Sequence, residues 1–552
     1  MKFLKMRGKI SDALVYIVPI VFIPILFGIL IYNPIYLIIK INSWPVNKFY
    51  GLPFYLLTLI CGIVMVFLAL LIYKSKISIP QKTKLIGNII YFGVIFIVVL
   101  LICLARSGVW FAPDSAILQQ GVKTFIDSGT TTSVQDYLKI NPNNIPNFFQ
   151  LIIEAKIFKG IFSPDLSWLL FEAGYITIGL LFTKKIIKQL FGSKMALIYM
   201  IFSFPFPIFW CFTEAFWYGS AYNETICFCF LAIFSYYLIK AFESDNLPRK
   251  YLFYIFSSSS FALAAYVRTA ASLLILAIIV FVIFFEKGSK NIIKQVVFII
   301  LIFIIPFVSV PRIANSVADS QHFFTVSMSQ MENDKGAKTI YHYLNLGADW
   351  TDGTDKGFQP GPRGQWNRTN FPGTDKKSKD RALSEYKKLI LNRRGIVNSI
   401  RFYYLKLVDL WTNSAGIGWG GLSNKSNKQL KEDMKTERQT VYKTATYQNR
   451  LFDKIRHNLT NGPAILSKII NCFSWTFTLI GFMGAVVFFK RTKKKPLGLF
   501  FLVSVTMITG YLMLMESYMR FLLPFSTLII IASCFGMKEI FEFILYKKCN
   551  RK

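Results

Sequence analysis

The sequence predicts an all-α integral membrane protein of about twelve transmembrane helices, with one large polar segment of mixed or irregular structure outside the bundle. Three observations predict it. The 552 residues are 54% hydrophobic, Phe alone occurring 54 times, and the mean hydropathy is +0.45, beyond the range of ordinary soluble domains. The charged residues, 17% of the chain, fall in short clusters. Between the clusters lie apolar runs near the roughly 20 residues a helix needs to cross a bilayer.

Taken in order, the expected spans are 13–32, 52–73, 85–105, 165–182, 195–212, 224–240, 251–267, 269–285, 293–310, 465–489, 496–514 and 521–541. Each is expected to be a helix, because a helix satisfies its own backbone polar groups in lipid. The start, MKFLKMRGKISD, is basic and runs into the first apolar stretch without a small-residue cleavage site. It reads as a retained span and not as a removable signal peptide.

Basic loops orient the spans. With the N-terminus cytoplasmic, the inner loops are KSKISIPQKTK, TKKIIKQLFGSK, KAFESDNLPRK, EKGSKNIIK, KRTKKK and the tail YKKCNRK. All are basic, whereas the short outer turns are poor in Lys. Both termini are thus expected in the cytoplasm, in a plasma-membrane protein. The formal net charge of +34 then serves topology and anionic lipid headgroups, not nucleic acid.

The chain divides into an N-terminal transmembrane bundle (1–310) with a first outer loop at 106–165, an extracytoplasmic segment (311–464), and C-terminal transmembrane helices (465–552). Within the first loop, FFQLIIEAKIFKGIF is amphipathic and interrupted, so it is expected to lie along the membrane surface and not to cross. The 311–464 segment is rich in Gly, Pro, Asp and Asn at its centre, which marks turns. SEYKKLILNRRGIVNSIRFYYLKLVDLWTN, further along, has helical periodicity. None of the eight cysteines lies between Val310 and Ala464, so no disulfide framework holds that segment. Cys227 and Cys229 fall in an apolar run and are expected to face lipid or core.

Soluble-enzyme signatures are missing: there is no P-loop, GxSxG, HExxH or dinucleotide fingerprint. The three histidines, His322, His342 and His457, do not cluster. What remains is a set of ionisable groups at the expected outer ends of spans, where such groups are costly and often functional. Asp114, in GVWFAPDSAILQQG, suits a helix N-cap, the reading its spacing favours, or a general base. Glu224, in SAYNETICFCF, suits the positive start of a helix; Glu214 precedes it. Arg268, in AAYVRTAASLLIL, and Arg520, in MESYMRFLLPF, suit either phosphate binding or snorkelling. Arg520 also suits a local pair with Glu516.

In order along the chain, these motifs resemble the polytopic GT-C glycosyltransferases, in the branch of the protein mannosyltransferases, the lipid-A aminoarabinose transferases and related bacterial cell-surface enzymes. The likeness is carried by Asp114 after an early span, by NPNNIPNFFQLIIEAKIFKGIF, by TEAFWYGSAYNE ending in Glu224, by YVRTAASLLILAI, by NLGADWTDG and YYLKLVDLWTN, and by ESYMRFLLPF. Two extra N-terminal spans precede Asp114, Ser115 stands where the family often has a second acid, and Glu replaces the usual Asp at 224.

The resemblance implies a GT-C-like bundle that moves a sugar from a polyprenyl-phosphate donor to a cell-envelope acceptor outside the cytoplasm, with inversion. It implies Asp114 and Glu224 as catalytic acids, Arg520 and Arg268 as ligands of the donor phosphate, and Asn143, Asn144 and Glu516 as acceptor or loop residues. It leaves room for a divalent cation near Glu224. Two rivals predict other residues. A membrane-embedded polysaccharide polymerase would rely on Arg363, Arg368, Arg393 and Arg394. A lipid-linked sugar transporter or flippase would bury its charges at mid-span depth.

Overall fold

The computed structural model describes residues 52–76, 80–106, 113–208, 223–285, 289–334, 337–348, 375–388, 390, 395–412, 463–488, 495–515 and 519–549. The expected first span at 13–32 lies outside them. The described chain is helical, and the Lys338 N–H donates to the Ile140 carbonyl at 2.9 Å.

The helices are α1 (Leu52–Lys74), α2 (Gln81–Arg106), α3 (Pro113–Ser128), α4 (Thr132–Ile140), α5 (Ile145–Ile157), α6 (Pro164–Phe191), α7 (Ser193–Phe202), α8 (Glu224–Glu243) and α9 (Leu247–Val267). There follow α10 (Leu274–Phe285), α11 (Ser289–Ser320), α12 (Met328–Glu332), α13 (Ile340–Ala348), α14 (Lys376–Lys387), α15 (Gly395–Thr412), α16 (Pro463–Phe488), α17 (Lys495–Leu514) and α18 (Ser526–Cys549). Among the described residues five stretches are long and apolar enough to cross a membrane: Lys82–Leu104, Pro164–Phe191, Glu224–Glu243, Val296–Ser320 and Leu497–Leu514. Four shorter apolar helices accompany them. The chain is a multi-pass membrane protein.

Local chemistry sets the boundaries. Ser163 caps α6 by accepting from the Leu166 N–H at 3.3 Å, with Pro164 in the first turn, and Gly192 ends the helix at φ 89°, a backbone region glycine adopts without strain. The expected span at 195–212 is interrupted: α7 stops at Phe202, ahead of Pro205 and Pro207, because proline disfavours a helical residue before it and supplies no N–H. The expected span at 269–285 opens as a 3₁₀ turn, Thr269–Leu273, after an extended Arg268. α11 runs through Pro306 and Pro311 to Ser320, ten residues beyond the expected end of its span, because Ala318 finds a second core to pack into.

The main core gathers the bundle helices. Apolar lipid gives helices little reason to prefer one another, so close backbone approach and interhelical hydrogen bonds hold them together. α16 and α18 approach at Gly481, Gly484 and Gly536. Tyr199 pairs with Ser533 at 2.8 Å, Thr183 with Thr527 at 2.8 Å and Ser203 with Thr478 at 3.0 Å. Cys227 and Cys229 are buried in protein.

The second core lies at one end of the bundle. It joins Leu118, Val122 and Phe125 of α3, Val134 and Leu138 of α4, one face of α5, and Phe323, Phe324 and Met331 beyond α11. The amphipathic run expected on the membrane surface forms α5, 13 residues long and so too short to span. Ile153, Ile157 and Ile161 stay exposed on and just after it. It docks on α6: Trp168 Nε1 donates to the Leu151 carbonyl at 2.9 Å and Tyr175 Oη to Glu154 Oε1 at 2.6 Å, while within α5 itself Gln150 Nε2 donates to the same oxygen at 2.9 Å.

Burial pushes the Glu154 carboxyl up from 4.5 to about 7, against the opposing effect of its hydrogen bonds from Tyr175 and Gln150. The folded state therefore holds this proton more tightly than the unfolded chain does. The resulting stability is fully present below pH 4.5 and is lost as pH rises through about 7, a change of about 3 kcal/mol. Thermal unfolding of the detergent-purified protein should show that decline, and Glu154→Gln should flatten it. Identical pH profiles for the two proteins would refute the assignment.

Candidate functional site

The site begins where the start of one helix meets the end of the next. α8 starts at Glu224, with Asn223 as its flanking residue, and α9 ends at Val267. A helix start presents unpaired N–H groups and partial positive charge; a helix end presents unpaired carbonyls and partial negative charge. Glu224 stands at the positive end and Arg268 at the negative one, so each charge suits its helix terminus. Asn223 Nδ2 donates to the Val267 carbonyl. Arg268 Nη1 donates to Asn223 Oδ1 and to Glu224 Oε1, each at 3.0 Å. The side chains of this ion pair are 16% and 7% exposed, so it is shielded from the solvent that weakens surface pairs.

Arg268 lines a cavity of about 580 Å³, within the usual size range of small-molecule sites. Asn143 and Asn144 of the NPNN turn share the lining. That turn is held from two sides. Asn144 Nδ2 donates to Tyr137 Oη, and Tyr343 Oη of α13 donates to Asn143 Oδ1 at 3.1 Å. Lys338 and Tyr343 also line the space. A further part of the wall is apolar, from Phe307, Pro311, Ile340, Leu512 and Met515. The cavity thus presents both cations and amides and hydrocarbon, as an amphipathic ligand requires.

Four residues singled out in the sequence meet here: Asn143, Asn144 and Arg268 on the lining, and Glu224 bonded to Arg268. Asp114 lies in the first turn of α3, whose N-terminus is Pro113, and its side chain lies outside the described residues. Arg520 lies in the 3₁₀ segment Met519–Phe525, and its side chain is likewise outside them. Glu214, Glu516, Arg363, Arg368, Arg393 and Arg394 also fall outside the described residues. Met515, next to Glu516, reaches the cavity.

Asn223, Lys338, Tyr343 and Tyr511 line the cavity without having been read as site residues. Only Asn223 carried a signal, as the residue before a first-turn acid; the others sit in stretches with no motif. At Glu224, one carboxylate oxygen is already bonded by Arg268. Among the described residues no three His, Cys, Asp or Glu side chains gather to hold a divalent cation.

No curated protein and no solved structure matches the chain. Residues 154–310, the stretch that supplies Asn223, Glu224, Arg268 and Phe307, match the family of dolichyl-phosphate-mannose-protein mannosyltransferases, the similarity that the ordered motifs predicted.

Proposed function

We propose that this protein transfers a sugar from a polyprenyl-phosphate donor to an acceptor in the cell envelope, at a site facing away from the cytoplasm. The observation that carries the reading is the pairing of Arg268 with Glu224 and Asn223 at the edge of a cavity that has both polar and apolar walls. A sugar-phosphate head on an isoprenoid tail needs both surfaces. Arg keeps its charge at every working pH and presents five N–H donors in a planar fork, a geometry that suits phosphate. Glu224 orients Arg268.

The reaction is a single displacement. An acceptor hydroxyl gives its proton to the Asp114 carboxylate as its oxygen bonds to the anomeric carbon. The bond from that carbon to the phosphate oxygen breaks, and polyprenyl phosphate departs with the electron pair. Arg268 and Arg520 stabilise the charge that builds on the leaving phosphate. Asn143 and Asn144 share the cavity wall with Arg268, where amides can hydrogen-bond sugar hydroxyls. Attack opposite the leaving group inverts the anomeric centre.

The test is transfer of labelled sugar from polyprenyl-phosphate sugar in membranes containing the full chain. Asp114→Asn should reduce transfer by about a thousandfold with unchanged membrane insertion. Full activity in that variant would remove Asp114 as the base.

A further inference from the structure

Lys406 lies in α15 and is wholly buried, at 0% exposure. A buried ammonium is costly unless several acceptors surround it. Its Nζ donates to the Gly347 carbonyl at 2.7 Å and to the Met515 carbonyl, and it lies 5.9 Å from the centre of the Phe402 ring. Both carbonyls belong to helix ends. Gly347 is in the last turn of α13, and Met515 directly follows α17. One cation therefore answers the unpaired carbonyls and the negative ends of two helices at once.

A second, independent feature marks the same junction. A Cβ on Gly347 would stand 2.4 Å from the Leu514 carbonyl oxygen and 2.5 Å from that of Met515. Those contacts are main chain and cannot swing aside, so α13 and α17 approach this closely only with glycine there. α15 is itself anchored to the bundle, since Trp475 Nε1 donates to the Trp411 carbonyl at 3.0 Å and the two rings stack.

The two helices joined in this way carry two walls of the cavity. α13 contributes Ile340 and Tyr343; α17 contributes Tyr511 and Leu512, with Met515 just beyond. We propose that Lys406 is a positioning residue: its ammonium, with the bare Gly347, sets the separation of these walls and thereby the grip on polyprenyl phosphate. The proposal rests on the reading of the cavity as the donor site. Lys406 touches no substrate; it acts through the two helix ends.

The experiment measures binding of polyprenyl phosphate, without sugar, to the full-length protein in lipid nanodiscs, well below each variant's unfolding temperature. Lys406→Met keeps much of the length of the side chain and removes the charge. It should weaken binding about tenfold, the scale of a misplacement of order 1 Å or less. Gly347→Ala keeps Lys406 and forces the same junction apart, and should weaken binding comparably. Tyr199→Phe, which breaks a buried hydrogen bond elsewhere in the bundle, serves as the stability control and should bind as wild type does.

A folded Lys406→Met protein with wild-type affinity overturns the proposal. So does a loss of the same size in Tyr199→Phe, which would make the effect one of general stability. If Lys406→Met does not fold, Gly347→Ala decides alone. Arg268→Gln separates the two readings. Weakened binding there with none in Lys406→Met rejects only the positioning role, whereas wild-type binding in Arg268→Gln rejects the cavity as the donor site.

Discussion

Arg268→Gln should abolish sugar transfer and destabilise the protein, and a second substitution should separate the two effects. The guanidinium bonds the Glu224 carboxylate at 3.0 Å. Removing it takes this counter-charge from a carboxylate that is only 7% exposed, a change that costs about 3 kcal/mol. Glu224→Gln on top of Arg268→Gln replaces the stranded charge with a neutral amide able to hydrogen-bond its new neighbour. That double variant should regain most of the lost thermal stability in detergent. On the proposed mechanism it should not regain transfer, because the leaving phosphate would still lack the Arg268 cation; loss of one such donor lowers turnover about a hundredfold or more. Transfer at wild-type rate in the double variant would show that the pair is purely structural.

Gly536→Ala should prevent the protein from accumulating in membranes, although the same change at Gly510 should be harmless. A Cβ at 536 would fall 1.9 Å from the Ala485 nitrogen and 1.9 Å from the Gly481 carbonyl oxygen. These are backbone atoms of α16, so the only relief is to part α16 and α18. The overpacking penalty should exceed about 3 kcal/mol. At Gly510, within α17, an added methyl would meet nothing within 4 Å. Gly510→Ala should therefore be neutral or stabilising, by up to about 1 kcal/mol from helix propensity. Membrane abundance and unfolding temperature of the two variants check the contrast. Equal abundance would mean that the helices adjust to the added methyl.

The helical, multi-pass class could be read from the chain because it rests on local quantities. Apolar length, charge clustering and proline position act within a window of about 20 residues. The same window explains the departures. One expected span is interrupted just ahead of Pro205 and Pro207, and the 3₁₀ turn at Thr269 shortened another, details that average hydropathy smooths over. α11 outran its apolar stretch because Ala318 packs against a core built from α3, α4 and α5, which no local window contains.

The site divides along the same line. By itself the sequence determined which charges flank apolar runs and which family the ordered motifs resemble, since both depend on residue type and spacing. Only the tertiary structure decided who meets whom. Arg268 read as a solitary cation between two spans; folded, it crosses 44 residues of sequence to Glu224, because the start of one helix lies against the end of the next and their opposite partial charges draw opposite side chains. Tyr343 meets Asn143 across 200 residues and Lys406 meets Met515 across 109. Such pairings follow from three-dimensional packing of helix ends, which leaves no periodic trace in the chain. The sequence thus named the membrane bundle and its ionisable rim, and packing alone turned part of that rim into a cavity walled by cations, amides and hydrocarbon.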